Sequence, residues 1–195
     1  GLTNFSGESF VNFENLITGN GDVEVTGSGS ANDIQTGTGN DSVNGGGGDD
    51  TINTGAGNDT IFGGLGTDSV NGGDGDDLIV VQSGDGLDNA DGGAGTDTLN
   101  YSGTAGNIEF NLATGSFLYN TSARTADNFE NFLGSEGNDT VTGTAGANVR
   151  EGNGGADTLL GEGGDDSLDG GTGNDLLGGG AGDDSVLGGD GADSL

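Results

Sequence analysis

Residues 36–80 fall into five consecutive rows of nine: TGTGNDSVN, GGGGDDTIN, TGAGNDTIF, GGLGTDSVN and GGDGDDLIV. The register never slips. The row before them, 27–35, keeps the frame. Two more rows, 83–91 and 92–100, follow a two-residue insertion at Val81 and Gln82, and a second run occupies 134–195. Across these 15 rows position 4 is Gly except at Ser30, and position 8 is apolar except at Arg150. Position 6 is always Asp or Asn: Asn32, Asp41, Asp50, Asp59, Asp68, Asp77, Asp88, Asp97, Asp139, Asn148, Asp157, Asp166, Asp175, Asp184 and Asp193.

Each column has a physical reason. Glycines at positions 2 and 4 let the backbone turn tightly through positive φ and approach an ion closely. At position 2 the candidate ligands are Gly37, Gly46, Gly55, Gly64, Gly73, Gly93, Gly171, Gly180 and Gly189. At position 4 the candidate ligands are Gly39, Gly48, Gly57, Gly66, Gly75, Gly95, Gly155, Gly164, Gly173, Gly182 and Gly191. The position-6 carboxylates are hard oxygen ligands, suited to Ca²⁺ rather than to softer metals. The last three residues of a row then make a short strand whose central side chain points inward while its neighbours face solvent. Two rows form one coil of turn, strand, turn, strand, and successive coils stack with parallel strands ~4.8 Å apart. The expected fold is all-β, a parallel roll.

Composition sharpens the argument. The chain has 195 residues, 48 of them Gly, with 33 acidic residues against two basic ones, Arg124 and Arg150, and a net charge of −31. Low apolar content with such charge ordinarily means disorder. A disordered chain would not phase Gly, Asp and an aliphatic residue in one frame, so the chain is expected to fold around bound cations and to be disordered without them. The lack of His and Cys excludes a Ser–His–Asp triad, a Cys nucleophile and an ordinary zinc site. With no Lys, a P-loop, a Schiff base and an electrostatic hold on nucleic acid are excluded too. No apolar run approaches the ~18 residues of a membrane span, and no charged-then-apolar leader opens the sequence. Neither catalysis nor membrane insertion is expected.

The pattern G-G-x-G-x-D-x-U-x resembles the RTX (repeats-in-toxin) nonapeptide, a calcium-binding repeat. The resemblance implies a right-handed parallel β-roll with Ca²⁺ between turns one coil apart. Position-6 carboxylates and backbone carbonyls of the position-2 and position-4 glycines would be the ligands. The stacked pairs would be Asp41/Asp59, Asp50/Asp68, Asp59/Asp77, Asp139/Asp157, Asp157/Asp175, Asp166/Asp184 and Asp175/Asp193, with Asp68/Asp88 and Asp77/Asp97 across the insertion. Asn32/Asp50 and Asn148/Asp166 have each lost a charge and would be weaker. Roughly 8–11 ions are expected, enough to offset most of the negative charge. The resemblance also implies export by a type I secretion apparatus of a Gram-negative bacterium, unfolded inside and ordered at extracellular calcium levels.

A longer repeat overlies the first: NFENLI at 12–17 recurs as NFENFL at 128–133, an offset of 116 residues. The expected organisation is a cap segment at 1–26 (the end of a preceding hairpin), a first roll at 27–100, an inter-module hairpin and cap at 101–133, and a second roll at 134–195. The parent protein is expected to continue in both directions. Within 101–133, Ile108–Leu112 alternates, Ala-Thr-Gly turns, and Ser116–Tyr119 returns, which reads as a β-hairpin. Phe5, Phe10, Phe13, Phe110, Phe117, Phe129 and Phe132 are expected to cap the core. Arg150 reads as a tolerated defect in an inward column, and Arg124 as a surface residue. Other signals carry less. The acidic pairs follow the nonapeptide frame rather than glycosidase geometry. The Asn-x-Ser/Thr triplets at Asn4, Asn58, Asn120 and Asn138 read as chance. No EF-hand spacing occurs, and position 3 offers no row of matched residues for ice. Two functions fit: a calcium-stiffened repeat array of a secreted or surface protein (adhesin stalk, surface-layer or matrix type), or the carrier module of a secreted protease, lipase or epimerase. Further 116-residue copies in the flanking sequence would favour the first, a catalytic domain the second.

Overall fold

The structure is a computed structural model. It describes residues 7–195, without the side chains of Glu8, Leu87 and Asp88. Phe5 and the Asn4 triplet therefore lie outside the described residues, as does the Asp88 side chain. The chain divides into two compact units, Gly1–Thr98 and Leu99–Leu195. Among the described residues there is no helix, and so none long and apolar enough to cross a membrane.

In the first unit ten strands alternate between two parallel sheets. They are β1 (Glu8–Val11), β2 (Asn15–Ile17), β3 (Val23–Thr26), β4 (Asp33–Thr38), β5 (Ser42–Asn44), β6 (Thr51–Ala56), β7 (Thr60–Phe62), β8 (Asp68–Asp74), β9 (Leu78–Gln82) and β10 (Leu87–Ala94). One sheet runs β1-β3-β5-β7-β9 and the other β2-β4-β6-β8-β10. Each strand pairs with the one a full coil away: Val43 with Ile61, Ile52 with Val70. This is the parallel β-solenoid that the 18-residue coil predicts. The inward column is its core, with Ile34, Val43, Ile52, Ile61, Val70 and Ile79 all buried. Residues 8–26 differ from the expected hairpin end. β1 lies parallel to β3 and β2 parallel to β4, so a complete coil precedes residue 27. Its rows, 9–17 and 18–26, keep an apolar residue at position 8 (Leu16, Val25) but place Glu14 and Val23 where the aspartate belongs.

The second unit contains β11 (Thr98–Gly103), β12 (Ile108–Asn111), β13 (Ser116–Tyr119), β14 (Ser122–Asp127), β15 (Asn131–Leu133), β16 (Thr140–Thr142), β17 (Val149–Glu151), β18 (Thr158–Leu160), β19 (Ser167–Asp169), β20 (Leu176–Gly178) and β21 (Ser185–Leu187). Its sheets run β11-β15-β17-β19-β21 and β14-β13-β12-β16-β18-β20. The hairpin forms where the alternation places it, with Phe110 opposite Phe117 in an antiparallel β12–β13 pair. A third antiparallel strand, β14, adds to it, and β12 joins the solenoid by pairing parallel to β16. Tyr101, Phe110, Phe117, Phe129 and Phe132 are buried there. Phe110 meets Phe117 and Phe132 edge-on, with centroids 5.1 and 5.4 Å apart, an arrangement that adds to plain area burial.

Coil-to-coil spacing explains the glycines. Gly57 has φ +131°, and a side chain there would overlap the Gly39 carbonyl oxygen of the preceding coil. Backbone torsion and close approach both exclude a Cβ. Gly57→Ala is expected to raise the calcium concentration needed for folding severalfold. Gly29→Ala, where φ is not positive and no atom lies within 4 Å, is expected to leave it unchanged. Equal midpoints for the two variants in a circular dichroism titration would refute this.

Candidate metal sites

The turns put the position-6 residues in columns, one coil apart, locked by a repeated hydrogen bond. Asp59 Oδ1 accepts the backbone N–H of Asp41 at 2.7 Å, Asp77 Oδ1 that of Asp59 at 2.8 Å, and Asp97 Oδ1 that of Asp77 at 2.8 Å. The opposite edge repeats this with Asn32 N–H to Asp50 and Asp50 N–H to Asp68. In the second unit Asp139 N–H donates to Asp157, Asp157 to Asp175, Asp175 to Asp193, Asn148 to Asp166 and Asp166 to Asp184. The structure thus brings together every stacked pair read from the spacing other than Asp68/Asp88, of which the Asp88 side chain lies outside the described residues. Across the insertion, only the backbone around Asp88 is described. Leu87 stands opposite Asp68 and Asn89 opposite Ser69, so Asp88 is the extra residue of a bulge. Asp68 N–H donates instead to the Gly86 carbonyl, at 3.1 Å. The insertion adds two residues to the coil, and the strand absorbs one of them by slipping register.

In most of these carboxylates one oxygen is thereby used and the other is not. Oδ2 of Asp41, Asp50, Asp59, Asp68, Asp77, Asp157, Asp166 and Asp175 is buried with no hydrogen-bond partner among the described residues. An ionised carboxylate is rarely left so without a cation. Around it lie further oxygens. A Cβ built on Gly72 would overlap Asp77 Oδ2 and stand 2.6 Å from the Gly92 carbonyl oxygen. On Gly170 it would be 2.5 Å from both Asp175 Oδ2 and the Gly188 carbonyl. Only a residue without a side chain leaves that oxygen-lined space open. Position 1, which the sequence reading passed over, therefore borders the position-6 Oδ2 of its own row at Gly45, Gly63, Gly72, Gly152, Gly161, Gly170, Gly179 and Gly188. Its recurrence as Gly in the frame was the available signal. Several position-2 carbonyls, by contrast, face the next coil: Gly46, Gly64 and Gly171 accept the N–H of Leu65, Gly86 and Asp190. Among the described residues no three acidic, His or Cys side chains converge, so two carboxylates and backbone oxygens must make up a coordination shell. That is a hard, all-oxygen donor set, which fits Ca²⁺.

Three turns close on themselves instead. Where position 2 is Ser or Thr, the position-6 side chain caps its own row: Ser28 N–H donates to Asn32 Oδ1, Thr144 N–H to Asn148 Oδ1, and Ser135 N–H to Asp139 Oδ2 at 2.7 Å. Asp139 Oδ1 also accepts Ile108 N–H, so both its oxygens have protein partners. In the first unit a column of buried Thr hydroxyls ties position 1 along one edge, Thr18 to the Thr36 carbonyl, Thr36 to Thr54 and Thr54 to Gly72.

Burial raises the carboxyls' affinity for protons. It pushes Asp59, Asp68 and Asp139 up to about 6 and Asp157 to about 7 from an ordinary 3.8, and raises Asp41, Asp50, Asp77 and Asp166 as well. Accepted N–H groups only partly offset this. With folded-state values above unfolded ones, the metal-free fold holds protons that the unfolded chain releases, and it loses stability as pH rises from about 4 to 7. In EGTA the sheet signal is therefore expected to grow as pH falls from 7 to 5. Ca²⁺, which needs the ionised ligand, should reverse that slope. A flat profile in chelator would contradict the burial of these groups.

A parallel solenoid with columns of unsatisfied carboxylate oxygens facing backbone oxygens defines a repeat fold built to hold hard cations. The RTX calcium-binding nonapeptide repeat profile matches residues 13–43, 26–61, 44–79, 133–168, 146–177 and 160–195, spans that merge into 13–79 and 133–195. The chain belongs to that family, and its repeats bind Ca²⁺. No curated protein matches it.

Proposed function

We propose that this chain is a non-catalytic, calcium-stiffened segment of a repeat array on a secreted or cell-surface protein. It passes through a type I secretion apparatus unfolded and orders outside the cell. The carrying observation is the double role of the buried aspartates Asp41, Asp50, Asp59, Asp68, Asp77, Asp157, Asp166 and Asp175, whose Oδ1 accepts an N–H of the neighbouring coil while Oδ2 has no hydrogen-bond partner among the described residues. Such sites assemble only when the coils stack, so binding and folding are one event. Low cytosolic calcium then keeps the chain unfolded, and extracellular levels near millimolar suit sites of this kind. The offset of 116 residues between NFENLI and NFENFL supports an array of modules. The strong negative charge disfavours a nucleic-acid partner. The test is export. With Asp59→Ala and Asp175→Ala combined, secreted yield in calcium-containing medium is expected to fall severalfold, and the released chain is expected to be protease-sensitive. Unchanged secretion and folding would remove the proposal.

A further inference from the structure

Arg150 is the largest fully buried side chain among the described residues, and it stands in the column that is aliphatic in every other row. Its stem runs through the core, but its head turns back into its own row's turn. Nη2 donates to Asn148 Oδ1 and lies 3.5 Å from the Gly161 carbonyl oxygen. Nη1 lies 3.9 Å from Asp166 Oδ1, both side chains being wholly buried. These oxygens are the local members of the set found at the other links: the position-6 oxygen of one coil, the position-6 carboxylate of the next, and the next coil's position-1 carbonyl. At Gly152 the space beside Cα is bounded by Asp157 Oδ2 and the Gly170 carbonyl. At Gly143 the same space holds Arg150 Nη2, and the Gly161 carbonyl oxygen again borders it.

We infer that the Arg150 guanidinium is a built-in cation occupying the Asn148/Asp166 link, which takes no calcium. Charge agrees with position. Asn148 has lost its carboxylate, so this link carries one negative charge and Arg150 supplies one positive. A divalent ion beside a buried guanidinium would be strongly repelled at this range. The 116-residue offset places Asn32, Ile34 and Asp50 of the first copy in the positions of Asn148, Arg150 and Asp166. There the same Asn–Asp pair stands without an internal cation. The Arg is therefore not a defect in the core column but a metal-independent link in a column otherwise bridged by metal.

This inference rests on the calcium reading of the other columns, and the test separates the two. Bound ions are counted by equilibrium dialysis at saturating Ca²⁺ for the wild-type chain, Arg150→Lys, Arg150→Ile, and Arg150→Ile combined with Asn148→Asp. Wild type and Arg150→Lys should bind equally, and both Ile variants one ion more. In parallel, terbium positions are located by anomalous scattering from wild-type crystals, with metal expected at Asp157/Asp175 and none at Asn148/Asp166. Metal between Asn148 and Asp166 in the wild type overturns the inference and leaves the calcium reading standing, as does an unchanged count in folded Ile variants. Metal at no column overturns both. The wild-type crystals decide the matter even where a variant fails to fold.

Discussion

Exhaustive dialysis against EGTA at neutral pH is expected to abolish most of the sheet signal, and Ca²⁺ is expected to restore it. The inward columns bury a single file of Val, Ile and Leu per sheet, a thin core for a chain of 195 residues carrying a charge of −31. Without cations, the carboxylates at Asp41, Asp59 and Asp77 stack one coil apart, each with a buried, unpartnered oxygen. Their mutual repulsion and desolvation oppose the fold. Calcium reverses both terms, and because the sites exist only in the stacked chain, its binding free energy is folding free energy. Mg²⁺ should substitute poorly. It demands near-ideal octahedral geometry at ~2.0–2.1 Å and dehydrates reluctantly, whereas the coil spacing of ~4.8 Å fixes the distance between ligand sets. Circular dichroism across paired Ca²⁺ and Mg²⁺ titrations reads the effect. A sheet spectrum that survives chelation would mean that the core alone suffices.

The second large effect is expected at Asp157, where the sign should depend on the metal. This side chain accepts the Asp139 N–H at 2.8 Å and stands between Asp139 and Asp175, and its burial raises its proton affinity to about 7. Asp157→Ala removes a carboxylate from two links and strands the buried N–H of Asp139, a loss of about 1–3 kcal/mol for the orphaned donor. The calcium midpoint for folding should rise roughly tenfold or more, through lost ligand charge as well as the lost bond. In chelator the same change deletes an uncompensated buried charge, so it should destabilise far less or even stabilise. Asp157→Asn keeps an acceptor for the N–H and should fall between. Glu151→Ala, at an exposed position 9, should track the wild type in both conditions. Terbium luminescence together with hydrogen exchange over the second unit measures each arm. An Asp157→Ala midpoint equal to that of Glu151→Ala would show the column to be structural only.

Much of this site was legible in the sequence because its chemistry is periodic. A fixed nine-residue frame means that one turn conformation recurs, and two rows per coil place Asp41 beneath Asp59 whatever the side chains between them. The inward Val and Ile column, the β12–β13 hairpin and the positive φ at Gly46 and Gly48 follow from the same local rules. What escaped lies where the frame is broken or where distant rows meet. Ser28, Ser135 and Thr144 turn their rows inward on themselves, because a hydroxyl-bearing position 2 lacks the positive φ of Gly. The coil at 8–26 hides its frame because Glu14 and Val23 occupy the aspartate column.

The spacing of Gly, Asp and aliphatic residues by itself determined the solenoid, its coil length and the stacking of the position-6 carboxylates, since each depends on backbone torsions and strand alternation within a single row. Tertiary structure alone decided which oxygens remain for a cation. That choice depends on the hydrogen bond a carboxylate accepts from the backbone one coil away, on the register slip between Leu87 and Asn89, and on the return of the Arg150 head from the core into its own row's turn.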